Sequence, residues 1–341
     1  MPASNDAPPI AVLGGGSWGT ALAILLAKSG QPVTLWARNQ AHLDQMRTTR
    51  SNERFLAGVQ FPDSLSVAVT NDIALIAADF DHYLLVVPSH AFRETLNKLH
   101  QARMNTSKGV SILWGTKGFD PSTGKLLSEV VNEVWGEYVT TAIISGPSFA
   151  KETAIGLPTA LTLGCENAQK SELLAQWFRS PTTRVYPNAD LVGVQVGGAV
   201  KNVMAVAAGI SDGLGFGANA RSALITRGLV ELKRMGEALG GQPETFMGLA
   251  GMGDLILTCT DNQSRNRRLG LGIGKGQSID AVMKEIGQEV EGYHTAREVH
   301  HKAQALGINM PITEQVFAVL HEGRDPKEAV QQLLTRQAKS E

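Results

Sequence analysis

Residues 14–20, GGGSWGT, sit between a short apolar run, Ile10 to Leu13, and an apolar helical pattern, Thr20 to Ala27. They contain Gly14-x-Gly16-x-x-Gly19. Alone, such a match is weak, because any glycine-rich turn can satisfy it. Between a strand and a helix, with a second strand PVTLWA behind, it fixes how the chain must open. The glycines permit a tight turn and let backbone approach a pyrophosphate, whose charge is met by helix N–H groups. Gly14, Gly16 and Gly19 are thus expected to hold a dinucleotide. The end of the second strand reads the adenine ribose, where an NAD site usually carries Asp or Glu. Here the residues are Arg38 and Asn39. A guanidinium suits a 2′-phosphate, so NADP(H) is favoured and NAD(H) allowed.

The alternation continues. PIAVLG, PVTLWA, HYLLVVP, VSILW, TAIIS and PTALTLG read as buried strands, with WGTALAILLAKSG, AFRETLNKLH and KLLSEVVNEVW as helices between several of them. This pattern predicts an α/β fold with a mostly parallel sheet covered on both faces. From about residue 190 the strand signal stops and helical periods take over. The expected division is a Rossmann-type dinucleotide-binding domain, residues 1–189, followed by an all-helical substrate domain, residues 190–341. A length of 341 residues suffices for two cores.

Charge excludes some partners. The formal net charge of −1 offers no field to recruit nucleic acid or an anionic membrane. The only cysteines, Cys165 and Cys259, are too few for a disulfide framework or a zinc site, which favours a reducing, cytoplasmic setting. The N-terminus lacks the pattern of a secretory signal. Residues 191–210 have the length of a membrane span, but a central lysine is costly there, so a buried core helix capped by Asp190 is expected. Its only polar side chains are Gln195, Lys201 and Asn202. The helical neighbours of Lys201 are Gly197, Gly198, Met204 and Ala205, none of which can pair with an ammonium. Either the lysine reaches water, the usual fate on an apolar helix, or it is held inside for a purpose.

WGTKGF, SGPSFAKE, AVKNVMA, GMGDLILTCT and SRNRRLG together make the chain resemble the bacterial NAD(P)-dependent glycerol-3-phosphate dehydrogenases, from about residue 9 to 335. The resemblance implies a Rossmann domain coupled to a helical one. The implied reaction reduces dihydroxyacetone phosphate to sn-glycerol 3-phosphate for phospholipid synthesis, and a homodimer is one assembly open to such a chain. It implies that Ser17, Trp18, Arg38, Ala150 and Glu291 contact cofactor, and that Gly146, Ser148 and Ser264 touch substrate. Lys117 and Arg265 would reach both. Lys201 would be the proton acceptor of the oxidation, with Asp254 and Asn266 completing the substrate site. Glu289 stands where the family often has an apolar residue.

Lys117 follows a strand into a glycine-bounded loop, a position where open α/β sheets bind ligands. Arg265 and Asn266 lie in a polar loop that is either solvated or a phosphate clamp. Arg267 and Arg268 are expected at the surface or bracing that loop. Asp254 is either a helix cap or the partner of a lysine. Cys259 is expected to be packed and inert, and His300-His301 to face solvent. The small residues beside Lys201 read as room for a ligand. The expected chemistry is hydride transfer to a ketone, with Lys201 as acid or base, Lys117 stabilising the oxyanion and Asn202 orienting substrate hydroxyls. Burial lowers and Asp254 raises the pKa of Lys201. The rivals are a β-hydroxyacid or ketopantoate dehydrogenase, which the SRNRR run tells against, and an idle NADP(H) sensor, which intact Lys117, Lys201 and Asp254 tell against.

Overall fold

The computed structural model describes residues 7–103 and 109–335. Its first half is one sheet of eight strands: β1 (Ile10–Leu13), β2 (Val33–Trp36), β3 (Leu65–Val67), β4 (His82–Leu85), β5 (Ser111–Trp114), β6 (Thr140–Ser145), β7 (Thr159–Gly164) and β8 (Thr183–Asn188). Their order is β3-β2-β1-β4-β5-β6-β7-β8, parallel throughout except where β6 meets β7. Helices α1 (Ser17–Lys28), α2 (Gln40–Thr49), α3 (Ile73–Asp79), α4 (Ser89–Arg103), α5 (Leu127–Trp135), α6 (Ala150–Ile155) and α7 (Ala168–Phe178) connect them. The continuous apolar runs of β1 and β5 are buried along their whole length, as a sheet covered on both faces requires. Strand β1 lies between β2 and β4. Connections leave it in opposite directions, so a crevice opens beyond its carboxyl end, where GGGSWGT stands.

Two strands escape the sequence pattern. β3 is three residues long, and β8 carries Pro187 and exposed side chains at the edge of the sheet. An edge strand pairs on one side only, so a proline and polar residues are tolerated there.

From residue 190 the described chain is helical: α8 (Leu191–Gly213), α9 (Gly217–Ala238), α10 (Pro243–Met247), a π-helical turn at Leu249–Gly253, α11 (Asp254–Thr260), α12 (Arg265–Gly274), α13 (Ile279–Ile286), α14 (Glu291–Ala305), α15 (Pro311–His321) and α16 (Pro326–Leu334). Asp190 caps α8, accepting from the Gly193 N–H at 2.7 Å. α8 meets the length and composition of a bilayer span, yet 94% of that window is buried. It is the axis of the helical half, enclosed by its neighbours.

α8 and α12 touch backbone to backbone. A Cβ at Gly209 would fall 2.1 Å from the Arg267 carbonyl oxygen, and one at Gly270 2.0 Å from that of Val206. Only glycine allows this approach. It sets the first turn of α12 beside the middle of α8, and so joins SRN to Lys201 and Asn202.

Candidate active site

A cleft of about 1400 Å³ runs from the glycine turn, past the ends of β4 and β5, to α8 and α12. At its cofactor end the three glycines divide their work. A Cβ at Gly14 would fall 2.2 Å from the Val86 carbonyl oxygen, and one at Gly19 1.9 Å from that of Gly14. These two close the turn. A Cβ at Gly16 would meet nothing within 4 Å, because that residue faces the open cleft. α1 starts there with no acidic residue in its first turn, leaving its leading N–H groups to an anion. The site fits the diphosphate of a dinucleotide.

Ser17 and Trp18 line this end. The Ser17 hydroxyl lies 2.7 Å from the Phe55 carbonyl and 3.2 Å from Gln288 Oε1, and the Trp18 indole N–H is buried without an acceptor. Arg38 is exposed on the cleft wall beyond β2, with Glu94 and Lys98 on the same wall. Ala150, the first residue of α6, also lines the cleft. Glu291 accepts from the N–H and hydroxyl of Ser89 at 3.2 and 3.0 Å, bridging the two halves. Burial pushes its carboxyl up to about 7, against those bonds. Glu289 is 3.3 Å from His294 Nε2, and that bond lowers the pKa of the acid and raises that of the imidazole.

The chemical end answers the question posed by Lys201. It is 6% exposed and does not reach for water. Its ammonium pairs with Asp254 Oδ1 and donates to Thr258 Oγ1 at 2.8 Å. Lys117, in the loop after β5, binds the other carboxylate oxygen of Asp254 at 2.6 Å. One carboxylate thus holds two lysines. Burial drives the Lys201 pKa down to about 7, opposed by Asp254 and assisted by Lys117. Burial also works against the charge of Asp254, but Lys117 and Lys201 outweigh it and keep its pKa below the ordinary value. Both lysines border the cleft, while Asp254 is fully buried behind them. It meets both lysines and the Thr258 hydroxyl and exposes no surface of its own.

The glycines before Lys201 do not leave room for a ligand, contrary to the reading of the sequence. A Cβ at Gly197 would fall 2.3 Å from the Ala250 carbonyl oxygen, and one at Gly198 2.9 Å from Ser145 Oγ and 3.5 Å from the Lys117 side chain. Those spaces are filled by the π-helical turn that presents Asp254 and by the Ser145 hydroxyl, with the stem of Lys117 beside it.

SRN is a capped helix start. Ser264 accepts from the Arg267 N–H at 3.2 Å, so its side chain serves the helix. Asn266 donates to Asn202 Oδ1 at 2.8 Å and accepts from the Gly292 N–H at 2.9 Å, joining α8, α12 and α14. Arg265 lines the cleft 3.5 Å from Gln288 Oε1. Burial lowers its pKa, while Glu291 and Glu289 oppose the shift. Ser148 lines the cleft and its hydroxyl donates to the Gly146 carbonyl at 3.1 Å. Gly146 itself is buried, at φ +127°, packed against the backbone of β7.

Other expectations hold, except that His300 does not face solvent. Arg267 is buried and pairs with Asp212 at 2.8 Å, whereas Arg268 is exposed. His300 is half-buried and stacks on Phe317 at 4.1 Å; His301 is exposed. Cys259 is buried, its thiol pushed up to about 12 by burial. Thr258, Gln288 and Ser89 join the site without an expectation from the sequence. Only Thr258 left a signal there, four residues after Asp254 and so on the same helix face.

Comparison with known proteins gives this geometry a family. Residues 9–171 match the profile for the N-terminus of NAD-dependent glycerol-3-phosphate dehydrogenase, and residues 190–331 match that for its C-terminus. A glycerol-3-phosphate dehydrogenase [NAD(P)+] of Pseudoalteromonas translucida is 52% identical over 99% of this chain and 100% of its own. One from Shewanella halifaxensis is 52% identical over 97% of each. The crystal structure of glycerol-3-phosphate dehydrogenase from Coxiella burnetii superposes with a TM-score of 0.92, at 47% identity, over 97% of this chain and 99% of that one. Matched in both halves and along nearly its whole length, the chain belongs to the NAD-dependent glycerol-3-phosphate dehydrogenase family.

Proposed function

We infer that this chain reduces dihydroxyacetone phosphate to sn-glycerol 3-phosphate with NAD(P)H, runs the reverse oxidation, and so supplies the backbone of glycerophospholipids. The observation that carries the reading is the buried carboxylate of Asp254 shared by two lysines on the cleft wall. It lies in the same cleft as a glycine turn built for a diphosphate.

Gly14, Gly16, Ser17, Trp18, Gly19, Arg38, Ala150, Arg265 and Glu291 would hold the dinucleotide. When bound, the reduced nicotinamide supplies the hydride. The carbonyl oxygen of the substrate gains an electron pair and takes its proton from charged Lys201; in the oxidation, neutral Lys201 removes that proton. A pKa near 7 suits a group that must do both. Lys117 adds positive potential where the oxyanion develops. Arg265 offers a bidentate fork to the phosphate ester. The Asn266 amide has one N–H beyond those bonded to protein, and Asn202 orients the hydroxyls. Ser148 and Ser264 complete the substrate end, Ser264 through the helix start it caps and Ser148 with its hydroxyl held by the carbonyl of buried Gly146. Each part comes from one chain, so a monomer and a homodimer would each contain whole sites.

We place the domain boundary between residues 189 and 190, supported by the end of β8 at Asn188 and the start of α8 at Leu191. The two buried free thiols favour a cytoplasmic location.

An assay following reduced nicotinamide with dihydroxyacetone phosphate tests the function. Consumption of NADPH with formation of sn-glycerol 3-phosphate is expected. Turnover of a β-ketoacid or ketopantoate instead would overturn the reading. We also propose a preference for NADP(H), carried by Arg38. Its replacement in Arg38→Ala should raise the KM for NADPH about tenfold and leave that for NADH within about twofold. Equal changes for the two cofactors would remove the preference from Arg38.

A further inference from the structure

Asn52 follows α2 in a loop that no motif singles out, and it is 1% exposed. Its amide makes contacts to three separate elements. Nδ2 donates to the Gly15 carbonyl and to Thr20 Oγ1, each at 2.8 Å. Oδ1 lies 3.0 Å from His42 Nε2 and accepts from the Phe55 N–H at 3.3 Å. Chemistry fixes the orientation of the amide: the Gly15 carbonyl can only accept and the Phe55 N–H can only donate.

The consequences reach the cleft from two sides. A trans peptide points its C=O and N–H in opposite directions. Holding the Gly15 oxygen against Asn52 therefore turns the Gly16 N–H the other way, at the residue whose α-carbon faces open space. On the other side, the loop bound by Asn52 carries the Phe55 carbonyl that holds Ser17 Oγ at 2.7 Å. Phe55 packs edge-on to His42 and lines the same cleft.

We propose that Asn52 is a positioning residue for the cofactor, fixing the Gly15–Gly16 peptide so that its N–H meets the diphosphate. The proposal rests on the dinucleotide lying over Gly14–Ser17. Asn52 touches no substrate and acts through the glycine turn.

Asn52→Asp isolates the contact. It keeps the volume and both acceptor contacts, and the Thr20 hydroxyl can turn to donate to the new oxygen. The Gly15 carbonyl cannot, and would face a carboxylate. The Kd for NADPH, from fluorescence titration, should rise about tenfold or more, while kcat at saturating NADPH stays within about twofold. A buried carboxyl has a raised pKa and regains a donor when protonated. The ratio of variant to wild-type Kd should therefore shrink as pH falls. Thr20→Val, which spares Gly15, should leave Kd within about twofold. If Asn52→Asp does not fold, Asn52→Ser takes its place, its hydroxyl too short to reach both acceptors, with the same rise in Kd expected. A folded variant at position 52 with wild-type Kd, or a Kd ratio independent of pH in Asn52→Asp, overturns the proposal. Failure of the wild type to bind NADPH would instead overturn the cofactor assignment beneath it.

Discussion

Lys201→Met should lower the turnover of dihydroxyacetone phosphate reduction by about 10²–10⁴-fold, the usual yield of a positioned acid. Methionine nearly matches the lysine stem, and Lys117 remains to pair with the Asp254 carboxylate, so the fold should stand at some cost in stability. NADPH binding should persist, because the glycine turn is built from other elements. The loss would then fall on kcat and on kcat/KM together, as expected of a group acting in the transition state. Turnover within about tenfold of wild type, with cofactor still bound, would mean that another group moves the proton.

Asp254→Asn should have the second largest effect, through the lysines. An amide cannot neutralise two ammonium groups that share its two oxygens. Removing one member of a buried charge cluster costs about 3–5 kcal/mol when the remaining charges cannot escape. Lys201 is a lysine of already lowered pKa, so part of that cost is relieved by loss of its proton. Reduction needs Lys201 charged and should fall by about 10²-fold at neutral pH. The pH above which reduction declines should also move lower, because Asp254 no longer holds the proton on Lys201. Urea unfolding and the pH dependence of reduction check the pair of effects. A decline at the wild-type pH would deny Asp254 a role in charging Lys201.

Local patterns in the sequence carried much of this architecture. The glycine turn, six of the strands and the buried α8 follow from apolar runs and periods confined to a few residues. What escaped depends on distant partners. β8 reads as polar chain with a proline because only β7 pairs with it. Arg267 reads as one charge in a solvated run until α8 and α12 meet and Asp212 arrives beside it. Gly197 and Gly198 suggest empty space in the sequence. In the fold that space belongs to Ala250 and Ser145, which no helical neighbour of Lys201 reveals. The site is legible in the same measure. Lys201, Lys117 and Asp254 each stand out in the sequence, but the sharing of one carboxylate between two lysines exists only when β5, α8 and α11 are assembled. The same holds for Ser264, whose hydroxyl is taken by its own helix.

Catalysis by this route depends on a buried lysine whose charge is poised near neutral pH. The pH dependence of kcat in the two directions tests it most directly. Lys201 loses its proton as pH rises through about 7. Reduction, which requires the charged form, should decline with pH above that point, and oxidation should rise through the same region. The limb should be missing from the residual activity of Lys201→Met. A wild-type reduction rate that stays flat or rises from about pH 6 to about pH 9, or a limb that survives in Lys201→Met, would contradict the assignment of Lys201 as the acid.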